Sequence, residues 1–226
     1  MKRFEDLGFE LGLIERYPVE IDGKQPIIIK CVEFDRIIDK FPIVAKLAEA
    51  VTTSHWHMEG DMLTHTKMVT YQMASACIER FSILNPENEP DPEIITIMIL
   101  AAVFHDIGKI GCKTDEKGRL LSHGHPKKSA EIVKDMFKEY KNCDILTELV
   151  LWHDLYCEPK ISDRKLRLKI GSFSDFLIQN IGMLTMLFNC DDRGSIHEPN
   201  DSAKIMTERV TAIAEDILKE RLSKTN

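Results

Sequence analysis

The pair His105-Asp106 closes a segment that is apolar over almost all of its length. A lone carboxylate buried there would cost on the order of several kcal/mol, so this aspartate needs a partner. A metal ion supplies one, and imidazole with carboxylate suits Mn, Fe, Co, Ni or Zn better than a cage of oxygen atoms alone. Histidines and aspartates near other predicted helix ends complete a set of candidate ligands: His65, His105, Asp106, His125, His153 and Asp191.

The His-Asp dipeptide alone carries little information, since it occurs again at His153-Asp154. The first copy stands in the segment AAVFHDIGK, where an apolar run leads into the pair and Gly108 and Lys109 follow it. Metal ions held by such ligands activate water at neutral pH and offset the negative charge of a phosphate.

The elements that must position these residues are helical. Apolar residues recur at helical spacing over 61–81, and Asp91-Pro92-Glu93 is a strong helix start because it combines a cap, a first-turn proline and an acid. The apolar helix that follows should lie in the core and end at Gly108. Further helices are predicted over 126–140, 144–153 and 165–191, the last interrupted at Gly171 or Gly182.

The two ends of the chain complete the predicted architecture. An Asp22-Gly23 turn between β-prone runs at 17–30 predicts a hairpin or extended arm. The tail should form an amphipathic helix, with apolar residues at Met206, Val210, Ile213 and Ile217. We expect an all-α protein in which a bundle at 34–226 surrounds a metal site and residues 1–33 form an arm packed on it.

Five motifs resemble the HD superfamily of metal-dependent phosphohydrolases. They are similar in particular to the HD domain attached to some bacterial tRNA nucleotidyltransferases, the CCA-adding enzymes. In chain order they are WHMEGDMLTHT at 56–66, HDIGK at 105–109, HGH at 123–125, WHDL at 152–155 and CDDRG at 190–194. The chain departs from that family at Pro126, where glutamate is common, and no nucleotidyltransferase motif precedes the domain. We therefore expect a free-standing hydrolase that does not add CCA.

The resemblance implies a role for each candidate. One metal ion would be held by His65, His105, Asp106 and Asp191, with Asp106 bridging to a second ion that His125 and His153 also hold. The cofactor would be one or two divalent ions, Mn, Co, Ni or Fe, with Mg as a further candidate. Catalytic roles fall to Asp106, Lys109 and Arg193, and substrate contacts to His57, Glu59, Lys109 and Arg193.

The predicted reaction is cleavage of phosphate monoesters or 2',3'-cyclic phosphodiesters of nucleotides or RNA ends by metal-activated water. The alternatives are a 5'-nucleotidase or dNTP phosphohydrolase of the same superfamily, an HD-fold di-iron oxygenase, and a non-catalytic nucleotide-binding protein. The net charge of -7 disfavours extended nucleic-acid binding, but a local basic pocket for a nucleotide or RNA end is compatible with it.

Composition also bears on location and partners. No apolar run is long enough to span a bilayer, and the acidic first segment is unlike a secretory signal, so no membrane association is expected. The six cysteines show no CxxC spacing, which favours reduced thiols in the cytoplasm. The sequence predicts no particular oligomeric state.

Overall fold

The computed structural model describes residues 1–16, 27–52, 57–80, 91–198 and 200–223. It is all-α, as the sequence predicts, apart from one small sheet. The helices are α1 Phe4–Glu10, α2 Phe34–Lys40, α3 Met62–Arg80, α4 Pro92–Phe104, α5 His125–Phe137, α6 Cys143–Trp152, α7 Asp163–Gly171, α8 Asp175–Gln179, α9 Ile181–Gly194 and α10 Ser202–Ser223. Shorter 3₁₀ segments lie at Pro42–Glu49, Ile107–Lys109 and His153–Cys157.

Helix α4 is the centre of the core. Every residue from Ile95 to Phe104 is buried, and the helix contacts α1, α3, α6 and α9. Its start is the one predicted: Pro92 is the first residue, and the Asp91 side chain accepts a hydrogen bond of 2.9 Å from the amide of Glu93. Burying each large aliphatic side chain contributes about 1.5–3 kcal/mol, so this helix anchors the bundle.

The prediction that Gly108 ends α4 is wrong. The helix ends at Phe104, and Gly108 lies in the 3₁₀ segment Ile107–Lys109. Its amide donates a 2.8 Å hydrogen bond to the buried hydroxyl of Ser129 on α5. The glycine therefore joins two elements rather than terminating one.

Helices α5 and α6 match the predictions to within a few residues, and the predicted stretch 165–191 divides into three helices. The break after Gly171 is confirmed. The second break falls at Asn180, and Gly182 lies within α9. Ser174 starts α8 by accepting a hydrogen bond from Leu177 N, which gives a local reason for the new helix.

The first 33 residues contain a helix and both strands of a two-stranded sheet. Strands β1 Ile14–Arg16 and β2 Ile27–Ile29 pair antiparallel, whereas the predicted Asp22-Gly23 turn lies outside the described residues. Helix α1 was not predicted. It packs on α4, and the amide of Glu5 donates a 3.0 Å hydrogen bond to the buried Glu93 carboxylate. The division into an arm at 1–33 and a domain at 34–226 stays a prediction.

Helix α10 covers one side of the bundle with the predicted apolar residues. Met206, Val210 and Ile217 are buried, Ile213 is half-buried, and the helix contacts α7, α8, α9 and the segment His153–Cys157. Among the described helices, none combines the length and the apolar character that crossing a membrane requires.

Candidate metal centre

Six side chains from five parts of the bundle converge beside the inner end of α4. His65 lies in the first turn of α3, and His105 and Asp106 directly follow α4. The other three are His125 at the start of α5, His153 just after α6, and Asp191 in the last turns of α9. Helix ends that meet at one point bring together residues as far apart in sequence as His65 and Asp191.

The first group of ligand atoms surrounds one oxygen of Asp106. His65 Nε2 lies 3.1 Å from His105 Nε2 and 3.0 Å from Asp191 Oδ1. Asp106 Oδ2 is 3.7 Å from His65 Nε2 and 3.4 Å from His105 Nε2. All four side chains are almost completely buried.

The second group surrounds the other oxygen of the same carboxylate. His125 Nε2 lies 3.1 Å from His153 Nε2. Asp106 Oδ1 is 3.0 Å from the His125 nitrogen and 3.4 Å from that of His153. Asp106 therefore stands between two pairs of imidazoles, with one oxygen facing each pair.

The hydrogen bonds of the outer ring nitrogens fix which nitrogen of each imidazole faces the cluster. Nδ1 of His105, His125 and His153 lies 2.7–3.0 Å from the carbonyl oxygens of Ala102, Ser122 and Val150, respectively. A carbonyl only accepts, so each Nδ1 carries a hydrogen and Nε2 is the ring nitrogen that faces the cluster. Facing lone pairs and carboxylates repel one another unless a cation lies between them.

The residues present fit a metal ion. Both oxygens of Asp106 are buried, and neither accepts a hydrogen bond of ordinary geometry from the described residues. Although burial opposes its charge, the Lys109 ammonium and the neighbouring histidines hold the pKa of Asp106 well below its ordinary value, so it is an anion. A divalent cation would satisfy both the carboxylate oxygens and the imidazole nitrogens. His/Asp groups of this kind are candidate ligand sets for such an ion.

His65 is oriented by a carboxylate instead of a carbonyl. Its Nδ1 lies 3.0 Å from Glu59 Oε1, and its Nε2 faces Asp191. Burial lowers the pKa of His65, but the carboxylates of Asp191 and Glu59 outweigh burial and raise it to about 9. In the metal-free protein at neutral pH this ring is therefore an imidazolium, and its proton occupies the position that a metal ion would take.

The Glu59 carboxylate contacts other groups of the protein, and Glu59 does not line the cavity. His57 Nδ1 lies 2.9 Å from Glu59 Oε1, the atom that also faces His65, and the amide of Ile196 donates a 3.1 Å hydrogen bond to Oε2. The Glu59 side chain is fully buried. This geometry favours a positioning role over the substrate contact expected from the sequence, whereas His57 does line the cavity. Trp56, the start of this motif, lies outside the described residues.

Lys109 connects the metal cluster with the cavity. Its Nζ lies 2.7 Å from Asp106 Oδ2, and the residue is only 7% exposed. Burial disfavours the ammonium, but the Asp106 carboxylate raises the pKa of Lys109 above its ordinary value. A charged lysine therefore lies at the cavity floor, and its contact with a phosphate stays a prediction.

Arg193 differs from the predicted arrangement, because it is exposed and does not line the cavity. Helical residues are turned by about 100° from one to the next, so a residue two positions after the inward-facing Asp191 points away. The residues of this turn that do line the cavity are Asp192 and, just after the helix, Ser195. The structure gives no support to the substrate contact expected of Arg193.

Two glycines permit the close approaches that bring the ligands together. A Cβ on Gly108 would lie 2.4 Å from the carbonyl oxygen of His125. A Cβ on Gly194 would lie 2.5 Å from Cγ2 and 2.7 Å from N of Val69. Val69 lies one turn after His65, and Gly194 lies one turn after Asp191. The glycines of HDIGK and CDDRG therefore set the spacing of the elements that carry the ligands.

A cavity of about 1430 Å³ lies beside the cluster, and its lining residues Lys109 and His57 contact Asp106 and His65, respectively. Its inner part includes Lys109, Met62, His57 and Tyr156. Its outer part is formed by the loop at 158–162 and by residues of α7. Sequence reasoning did not identify most of these walls, and His197 is one of the residues it missed. In the structure, His197 lines the cavity with its Nε2 3.2 Å from Asp192 Oδ1.

Comparison with known proteins agrees with this geometry. Residues 62–175, about half of the chain, match the family of the HD domain. The chain therefore belongs to the HD domain family. Together with the clustered histidines and aspartates, this family indicates a metal-dependent hydrolase. A search of curated proteins gives no match.

Proposed function

We propose that this protein is a phosphohydrolase that cleaves phosphate monoesters or 2',3'-cyclic phosphodiesters of nucleotides or RNA ends by metal-activated water. The observation that carries the proposal is the Asp106 carboxylate, whose two oxygens face separate pairs of imidazole nitrogens beside the buried Lys109. An arrangement of this type suits two ions that share a bridging carboxylate, the arrangement with which many phosphate esters are hydrolysed.

In the proposed reaction the oxygen of a water molecule bonds to phosphorus, the bond from phosphorus to the ester oxygen breaks, and that oxygen leaves with a proton. Divalent metal ions, when bound by the six ligands, supply the Lewis acidity for this attack. Without a metal ion, the Lys109 ammonium pairs with the Asp106 carboxylate. A metal ion bound to Asp106 would weaken that pairing, and Lys109 would then donate a hydrogen bond to a non-bridging oxygen of the phosphate.

Two further features support nucleotides or RNA ends as substrates. The five motifs at 56–194 resemble the HD domain of the tRNA nucleotidyltransferases, relatives of which act on 2'-phosphates and 2',3'-cyclic phosphates. The cavity also combines cationic side chains with apolar surface from Tyr156, Pro159 and Ile161, which suits a phosphate attached to a base.

The ligand set by itself also fits a di-iron oxygenase. Lys109, held against Asp106 at the cavity floor, favours phosphate over that alternative, because a cation beside the ligands suits an anionic substrate. Iron in the purified protein together with oxygen consumption would identify the oxygenase. Nucleotide binding without turnover would identify a binding protein.

A phosphate-release screen tests the proposal. Purified protein loaded with Mn, Co, Ni or Mg is incubated with 2'-, 3'-, 5'- and 2',3'-cyclic nucleotides and with deoxynucleoside triphosphates, the last to detect the dNTP phosphohydrolase. We expect turnover with the 2', 3' or cyclic compounds. Asp106→Asn should reduce it at least about 100-fold, because the bridging anion is lost.

A matched histidine pair provides the control. His125 lies in the second ligand group, and His123, two residues earlier in the same turn, is exposed. His125→Ala should lose most activity, and His123→Ala should retain it. Absence of turnover with every metal and every substrate class would contradict the proposed function.

A further inference from the structure

The cavity extends well past the cluster that would cleave the phosphate. A ligand pocket for a drug-sized molecule occupies about 300–1,000 Å³, and this cavity has about 1430 Å³. Its outer wall is formed by the loop at 158–162 and by one face of α7. A substrate consisting of one nucleotide would fill only part of this volume.

The outer wall is cationic, although the protein as a whole is acidic. Among the described residues, the cavity is lined by five lysines and arginines but only by the carboxylates of Glu158 and Asp192. The chain carries a net charge of -7, so this excess is local. The cationic residues are Lys109, Arg119, Lys160, Lys165 and Lys169.

Two of these lysines have no carboxylate partner in the part of the chain that the structure describes. Lys169 pairs with Glu158 at 2.7 Å, and Arg119 pairs with Asp115 at 2.6 Å. Lys160 and Lys165 are exposed and make no ion pair of this kind. Their ammonium groups are therefore available to an anion that enters the cavity.

Helix α7 presents this wall as a single face. Lys165, Leu168 and Lys169 are spaced three and four residues apart, so they lie on one side of the helix, whereas Leu166 and Ile170 are buried on the other. Leu168 is 69% exposed. An apolar side chain between two ammonium groups suits a nucleotide unit, because one part can contact the base or sugar and the other the phosphate.

We infer that the outer cavity binds a second phosphate, separate from the one that is cleaved, and that the substrate is a short single-stranded oligonucleotide end rather than a mononucleotide. This inference rests on the proposed function. The same chemistry could be offered by a nucleoside polyphosphate, and the test separates the two sources. A tract of nucleic acid longer than a few residues would meet the acidic remainder of the surface, which is unfavourable.

The test compares substrates that share the reacting group. The Mn-loaded protein is assayed with a 3'-phosphorylated trinucleotide, the matching nucleoside 3'-monophosphate, and a nucleoside 3'-monophosphate that carries a 5'-triphosphate. We expect the trinucleotide to have at least about ten-fold higher kcat/KM than the monophosphate, and KM to rise with salt. The double variant Lys160→Ala/Lys165→Ala should remove this advantage through KM and leave the monophosphate unchanged.

A charge-matched variant is the control. Lys138→Ala/Lys219→Ala removes an equal number of positive charges at exposed sites, one just after α5 and one on α10, that do not line the cavity, and it should behave as the unmodified protein. If only the 5'-triphosphate compound has a higher kcat/KM than the monophosphate, the outer cavity binds a polyphosphate, and the assignment of an oligonucleotide substrate is wrong. Equal kcat/KM for all three substrates would overturn the inference and leave the proposed function standing.

A binding measurement keeps the two proposals distinguishable. Fluorescence anisotropy with a labelled trinucleotide that ends in a 3'-phosphorothioate reports binding without turnover. If no substrate is cleaved but the trinucleotide binds and the lysine variant weakens binding about ten-fold, the proposed function fails and the second-phosphate site stands. If the variant binds as well as the unmodified protein, the inference fails.

Discussion

At the residue scale, the partner of each outer ring nitrogen decides how a histidine is presented to the cluster. Carbonyl acceptors bind Nδ1 of His105, His125 and His153 and leave Nε2 facing the cluster, whereas the carboxylates of Asp191 and Glu59 raise the pKa of His65. Metal binding must displace the proton of His65, because only the neutral ring ligates. The apparent affinity for metal is then coupled to pH.

The pKa of His65, about 9 in the metal-free protein, gives this coupling its sign and range. Below that pH a proton competes for Nε2, so the apparent Kd for Mn should fall about ten-fold for each unit of pH raised from 7 towards 9 and then level off. Calorimetric titration at several pH values, in buffers of different ionisation enthalpy, measures both the affinity and the released proton. An affinity that is constant from pH 7 to 9 would contradict the assignment.

Glu59 provides a second prediction at this scale. Glu59→Gln keeps the shape of the side chain but removes one of the two carboxylates that orient and charge His65. Removing the hydrogen-bond partner of a metal-bound histidine typically lowers the metal affinity about 10- to 100-fold, so the variant should bind Mn more weakly by that factor. Its pH dependence should also move to lower pH. Unchanged affinity would show that Glu59 does not position His65.

At the element scale, the site depends on how closely α9 approaches α3. Gly194→Ala places a methyl group against Val69, and overpacking of this kind costs about 1–3 kcal/mol. The displacement separates Asp191 from His65, so metal affinity should fall with stability. Urea denaturation and metal titration on the same variant measure the two effects.

Gly171→Ala is the matched control, since a Cβ there meets no atom within 4 Å. It should leave metal affinity unchanged and alter stability by no more than about 1 kcal/mol, with stabilisation the expected direction. If Gly194→Ala loses stability but binds metal normally, the glycine serves packing alone and does not set the ligand spacing.

The sequence predicted the elements best where the local signals were strong. Asp91-Pro92-Glu93 starts α4 as expected, because the cap and the proline act within one turn. The end of that helix was misplaced, since Gly108 is needed for contact with α5, a partner distant in sequence. Helix α1 was missed because its seven residues are held by tertiary contacts with α4.

At the scale of the whole molecule, residue types revealed the ligands but not the walls. His65 and Asp191 were predicted to meet because their motifs resemble those of a metal-binding family, and the two side chains lie 3.0 Å apart. Lys160 and Lys165 were not found, because lysines are common on surfaces and only the packing of α7 brings these two to the cavity. The direction of Arg193 was readable from helical geometry once Asp191 was placed facing inward.

Metal binding should also stabilise the whole fold. The ligands come from α3, α5, α9 and the residues that follow α4 and α6, and an ion that binds them only in the folded state adds to the free energy of unfolding. At a free metal concentration of 100 times Kd the gain is about 2.7 kcal/mol. Differential scanning calorimetry should show a higher Tm with Mn than with a chelator, and the increase should be absent in Asp106→Asn.

The most direct test of the account is a crystal structure of the metal-loaded protein with anomalous data collected at the metal absorption edge. The account predicts an ion among His65, His105, Asp106 and Asp191, with ligand distances of about 2.0–2.3 Å. A second ion, where bound, lies on Asp106, His125 and His153. Anomalous density at another place, or none at the cluster in a protein shown to be metal-loaded, would contradict it.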